Sequence, residues 1–215
     1  IAPDYLLVHS SVKAQLISDL KTEITKAYGK NPQNSSDYPR IINTKHLSRL
    51  TNMLKDSRVV FGGVSDASDC YLAPTLIDEP SMDSEVMKDE IFGPILPILS
   101  YETEQDIHSV LCNYDKPLGF YVFSNDTSFY KKMIETYSFG GGTINDTMIH
   151  FGNPKLPFGG VGESGIGAYH GSLGFDTFSH KKGIVIKSNW LDIPLRYAPY
   201  TNKLKILKRL FKFFN

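Results

Sequence analysis

The sequence has 215 residues with 23 basic and 23 acidic side chains, so no global field draws it toward nucleic acid. At this length roughly 70% of the extended-chain surface can be buried, enough for a core without disulfides. The two cysteines, Cys70 and Cys112, are far apart and form no CxxC pair, which fits a reducing compartment, and no run of 18 apolar residues is present to span a bilayer.

The chain opens on Ile1-Ala2-Pro3, without Met and without a signal-peptide pattern, and Asp4-Tyr5-Leu6-Leu7-Val8 reads at once as a buried strand. A start one step before a core strand is expected of a piece of a longer polypeptide or an incomplete gene product. Ser10 or Ser11 can cap a helix to about Gly29, with Val12, Leu16, Ile17, Leu20 and Ile24 as its apolar stripe and Gly29 at C′. Residues 31–39 are a polar, turn-rich loop. Asn43 or Thr44 caps a second helix through Leu54, with Leu47, Leu50 and Leu54 inward. Residues 58–61 and 71–77 are expected as strands around Gly62-Gly63, 81–88 as a short helix and 94–99 as a strand. A helix over 102–113 turns Ile107, Val110 and Leu111 to one face. Residues 120–123 form a strand, 127–137 a helix, and 143–145 begin another strand. Strands alternating with helices predict an α/β domain with a largely parallel sheet. No strand–GxGxxG–helix unit opens the chain, so a Rossmann domain is not expected.

Eleven of the seventeen glycines lie between Gly140 and Gly174. Glycine at that density would cost about 0.5–1 kcal/mol per residue in a helix or strand, so this backbone needs positive φ or a close approach. A phosphate cradle is one functional alternative, although no lysine follows as in a P-loop. A flexible linker is the bland one, but aromatics, a proline and a histidine stand within the run.

Three stretches carry a more specific pattern: Glu90-Ile91-Phe92-Gly93-Pro94, then Leu156 to Gly171, then Phe175-Asp176-Thr177-Phe178-Ser179-His180. Together they resemble the C-terminal signature of the aldehyde dehydrogenase superfamily, in its fatty-aldehyde (class 3) branch, with similarity from Ile1 to about Ser188. The resemblance implies the C-terminal part of the catalytic domain over 1–180, an oligomerisation strand over 181–189, and a connector with an amphipathic tail helix over 190–215. It implies an NAD cofactor, with NADP not excluded. It also implies an aldehyde substrate, a cysteine that forms a thiohemiacetal and then a thioester, and a homodimer in the complete enzyme. In the family that cysteine directly precedes the stretch beginning at Ile1, so no catalytic residue is expected within this chain, and the chain alone is expected to be inactive. The alternative is a non-enzymatic remnant acting only as an oligomerisation or membrane-binding module.

By the same resemblance Glu90 accepts hydrogen bonds from the nicotinamide-side ribose, and Phe92 lies against that ribose. Otherwise Glu90 is a solvated carboxylate and Phe92 core filling. Met148, Phe151 and Phe158 either pack locally or line an apolar aldehyde tunnel. There each buried CH₂ contributes about 0.8 kcal/mol. His170 is a polar group at that tunnel or a structural residue. His150 and His180 are expected as structural, and no spacing among the six histidines suggests a metal site. Asn145 could donate to an oxyanion. The family's oxyanion asparagine belongs to the preceding half, however, so Asn145 is expected to organise backbone. Cys112 has no histidine placed to activate it, and Cys70 begins a strand.

In the tail, Thr201 can cap a helix over Asn202–Phe214. Leu204, Ile206, Leu207, Leu210, Phe211, Phe213 and Phe214 cover one half of it, and Lys205, Lys208, Arg209 and Lys212 the other. Only Lys203 breaks the pattern. Such a helix packs on protein or lies in a membrane interface. The second option implies an intracellular location on the cytosolic face of a membrane.

Overall fold

The computed structural model describes residues 1–201 and 203–214. The chain divides into two units, Ile1–Thr177 and Phe178–Asn215. In the first, β1 (Leu6–His9) and β5 (Thr75–Asp78) flank β6 (Ile95–Tyr101) in parallel, and β2 (Val59–Phe61) adds an antiparallel edge to β5. Two further parallel strands, β7 (Gly119–Val122) and β8 (Gly141–Ile144), pair in register Phe120↔Gly142. The parallel-rich α/β organisation expected from the sequence is what forms.

Caps explain where the helices begin. In α1 (Ser10–Tyr28) the cap is His9 rather than Ser10 or Ser11, because its ring nitrogen accepts from Ser11 N–H at 3.3 Å. Leu16, Ile17, Leu20 and Ile24 pack toward Val8, Leu76 and Ile98 of the sheet. Val12 was expected in that stripe but is 54% exposed, at the start of the helix. Asn43 Oδ1 accepts from His46 N–H to start α2 (Thr44–Met53), whose Leu47, Leu50 and Met53 are buried. Thr103 and Asp106 form a reciprocal capping box on α3 (Glu104–Leu111). Asp126 caps α4 (Thr127–Thr136), the crossover between β7 and β8.

Two expectations are corrected. The strand expected over 71–77 is two short strands, β4 (Tyr71–Leu72), paired with β3 (Ser65–Asp66), and β5; Ala73-Pro74 separates them, and Pro74 has no N–H for a ladder. The helix expected over 81–88 is one 3₁₀ turn, Glu85–Met87. A short helix, α5 (Gly171–Thr177), was not anticipated, since two glycines make it a poor helix former.

The close approach in the glycine-rich run is the chain's own backbone. A Cβ on Gly159 would stand 2.1 Å from the Gly167 carbonyl oxygen, and one on Gly160 2.1 Å from that of Ser164. The Ser164 hydroxyl closes the turn between Val161 N–H (3.0 Å) and Val161 C=O (3.1 Å).

In the second unit, residues 182–187 form no ladder within the chain, and Ile184, Val185 and Ile186 are exposed. The tail helix α6 runs Lys203–Phe214, and the expected start at Asn202 lies outside the described residues. Lys203, the charge that broke the amphipathic pattern, donates from Nζ to the Pro194 and Tyr197 carbonyls, both at 2.9 Å. No helix among the described residues is long and apolar enough to cross a membrane.

Candidate functional site

Aromatic rings converge on Phe158. Its ring centroid lies 4.8 Å from Phe151, 5.7 Å from Tyr169, 6.0 Å from His150 and 6.2 Å from His170. An antiparallel bridge between Phe158 and Tyr169 fixes the arrangement through two backbone hydrogen bonds of 3.0 and 2.9 Å. His170 Nδ1 lies 2.9 Å from the Leu156 carbonyl, which can only accept, so Nδ1 carries the proton. Met148 joins the group through its backbone, its carbonyl accepting from Phe151 N–H at 2.9 Å. The loop from Thr147 to Pro154 lines an open depression of about 650 Å³ that includes Met148 and Phe151. The four residues singled out as tunnel candidates thus share one neighbourhood.

His150 is buried, as expected of a structural histidine. Its Nδ1 lies 3.1 Å from Thr143 Oγ1, and its Nε2 has no hydrogen-bond partner among the described residues. Burial holds its pKa below the ordinary histidine value. The phenol of Tyr121, 5.8 Å away in ring centroids, donates to the Ile1 carbonyl at 2.7 Å.

Residues 1–4 run from these rings to a second loop. Asp4 Oδ1 accepts from Ile91 N–H at 2.8 Å. Burial pushes the Asp4 carboxyl up, while that hydrogen bond pulls it back. The Ile91 carbonyl in turn accepts from Arg49 Nη2 at 2.6 Å, and its side chain is buried in the core with Leu47 and Leu50. The flanking Glu90 and Phe92 both face solvent, Phe92 at 78% exposure. An exposed, acceptor-only carboxylate beside an exposed ring fits the hydroxyls and apolar face of a ribose. Sequence reasoning missed Asp4, Arg49 and Tyr121. A charged residue set directly before a buried strand was the one available signal, and it pointed to Asp4 alone.

Strain concentrates on these residues. Phe92 (φ 46°), Met148 (φ 61°) and His170 (φ 100°) all have positive φ. Each such conformation costs roughly 1–3 kcal/mol and persists only where the surroundings impose it. Asn145 (φ 59°) organises backbone as expected, its side chain accepting from Ser124 N–H (2.8 Å) and donating to Ser124 C=O (3.1 Å).

The reading of Cys112 is corrected. His108, one helical turn earlier, places Nε2 3.4 Å and Nδ1 3.7 Å from its Sγ, so a histidine is in reach. The pair stands at the exposed end of α3, where His108 also meets the Tyr137 hydroxyl at 3.4 Å. Cys70 precedes β4 in a positive-φ turn, and its carbonyl accepts from Ile41 N–H.

The model of the aldehyde dehydrogenase family matches residues 1–184. A 4,4'-diaponeurosporen-aldehyde dehydrogenase of Staphylococcus aureus is 49% identical over 99% of this chain and 47% of its own length. Aldehyde dehydrogenase family 3 member A2 of Mus musculus is 45% identical over 87% of this chain and 39% of its own. A solved structure described as the substrate-bound state of Staphylococcus aureus AldH superposes with a TM-score of 0.86 at 48% identity, covering 98% of this chain and 46% of that one. The chain thus spans less than half the length of these relatives.

Proposed function

The chain belongs to the aldehyde dehydrogenase family, and from that premise we propose that it supplies the cofactor-ribose contact and the aldehyde tunnel of an NAD(P)-dependent enzyme that oxidises long-chain aldehydes to carboxylic acids. One observation carries the reading. Residues 1–4 are pinned at one end by Tyr121, beside the ring cluster, and at the other by Ile91, between Glu90 and Phe92. A nucleophilic cysteine immediately before Ile1 would therefore stand next to the apolar rings, on the segment that reaches the ribose loop.

In this reading Glu90 accepts from the ribose hydroxyls, and Phe92 holds the sugar from its apolar side. Met148, Phe151 and Phe158 exclude water around the alkyl chain, and His170 offers Nε2 at the tunnel. The nicotinamide cofactor, when bound, supplies the hydride acceptor. This chain by itself, without nucleophile, general base or most of the cofactor site, oxidises no aldehyde.

The test is Glu90→Gln in the complete enzyme. Losing a charged hydrogen bond of about 1.5–3 kcal/mol weakens cofactor use roughly 10- to 150-fold. Steady-state kinetics with NAD that do not move would remove Glu90 from the site.

Two features of the second unit extend the proposal. Lys182 to Lys187, a β-branched run between lysines with no ladder in its own chain, pairs across a homodimer. The α6 helix exposes Leu204, Ile206, Phe211 and Phe213 opposite its basic face and docks the enzyme on the cytosolic face of an anionic membrane, where fatty aldehydes dissolve.

A further inference from the structure

Ile91 is gripped by three distant parts of the first unit. Its N–H goes to Asp4, 87 positions earlier, and its carbonyl to Arg49, 42 positions earlier, while its side chain is 2% exposed. Its two neighbours do the opposite. Glu90 and Phe92 turn outward, Phe92 with a φ of 46° that no free loop would hold. A peptide fixed at donor, acceptor and side chain leaves the adjoining residues one way to point.

We propose that Asp4 and Arg49 are positioning residues that clamp the Ile91 peptide and so aim Glu90 and Phe92 at the cofactor ribose, with Asp4 tying that loop to the segment that follows the nucleophile. The proposal rests on the reading of Glu90 and Phe92 given above. Both clamping groups suit the work. A carboxylate is acceptor-only and meets an N–H; a guanidinium is donor-only and meets a carbonyl. Each hydrogen bond is charge-assisted, and Arg49 is itself set by its place on α2, beside Leu50, which packs in the same core as Ile91. The clamp also spans the site: a shift in the strand entered at Asp4 is passed to the ribose loop by one hydrogen bond.

Two measurements separate the clamp from the ribose reading. In the 215-residue chain, amide hydrogen exchange is followed at Ile91 in the native protein, Asp4→Ala and Asp4→Asn. Asp4→Ala should speed exchange at Ile91 at least tenfold while the β5 and β6 amides keep their protection, and Asp4→Asn, which retains an acceptor oxygen, should restore most of it. In the complete enzyme, Asp4→Ala and Arg49→Gln should raise the KM for NAD about tenfold and leave the KM for aldehyde unmoved, with partial rescue in Asp4→Asn and Arg49→Lys. A merely structural role would lower the active fraction and hence apparent kcat without moving the cofactor KM. Unchanged exchange at Ile91 overturns the clamp. Faster exchange with a cofactor KM that Glu90→Gln moves and neither Asp4→Ala nor Arg49→Gln moves overturns the positioning role. A KM that none of these variants moves overturns the ribose reading itself. Should Asp4→Ala fail to fold, Arg49→Gln alone carries the kinetic comparison, and a cofactor KM that it leaves unmoved while Glu90→Gln moves it overturns the positioning role.

Discussion

Single residues here do two kinds of work, and His150 shows how they differ. It was expected as structural, and its burial against Tyr121 and Phe158 agrees, yet its Nε2 has no hydrogen-bond partner among the described residues. A buried imidazole resists protonation, so its folded pKa lies below the ordinary 6.5. The unfolded ring therefore takes up a proton first. Stability from this group is full above pH 6.5 and is lost as pH falls from there toward the lower folded value. Thermal unfolding of the chain should move to lower temperature between pH 7.5 and 5.5, and His150→Phe should flatten that slope. An equal slope in the variant would show that the acid sensitivity comes from elsewhere. Glu90, by contrast, is an exposed carboxylate, and only the motif around it singles it out.

Elements were legible in the sequence where a cap met a periodic face. Asn43 before Leu47 and Leu50 fixed α2 closely, whereas the capping pair Thr103 and Asp106 went unread and the helix expected over 102–113 is the shorter α3. The break at Pro74 was signalled by the proline, but the apolar run around it read as continuous. Residues 171–177 carried no signal at all, because two glycines argue against the helix that packing imposes. The site was half legible. Phe158 and His170 fall in one motif, Phe151 lies just before it, and the three come together; Asp4, Arg49 and Tyr121 share no motif, because hydrogen bonds across 87, 42 and 120 positions leave no local pattern. The glycine density was read as positive φ or close approach, and both occur: Gly162, Gly165, Gly167 and Gly171 have positive φ, and at Gly159 and Gly160 the approaching groups are carbonyls of the same run. Two elements of the second unit carry predictions. Ile184→Pro removes a ladder donor, and the complete enzyme should then sediment as a monomer at low concentration; a persisting dimer would place the interface elsewhere. A peptide of residues 201–215 should gain helicity and co-float with anionic liposomes at low salt. Each basic residue near the surface contributes about 1 kcal/mol, so added salt should release it. Failure to co-float would mean that α6 packs on protein instead.

At the scale of the whole molecule, the first unit is a four-stranded sheet and two two-stranded ones, with helices between strands, and its opening residues 1–4 meet two separate parts of it. The ribose loop, residues 90–92, and the ring cluster, residues 148–170, lie far apart in sequence; Ile91 holds Asp4, and Tyr121 of β7, beside the rings, holds Ile1. The relatives are more than twice as long as the stretch they share with this chain, and in the proposed enzyme the preceding half brings the nucleophile, the base and the rest of the cofactor site. Acyl trapping tests this account most directly. The polypeptide that includes the residues encoded upstream of Ile1 is incubated with a long-chain aldehyde and NAD, quenched in acid, digested and examined by mass spectrometry. The acyl group should sit as a thioester on a cysteine immediately before Ile1. An acyl group on Cys70 or Cys112, or none on any cysteine while NADH forms, would contradict it.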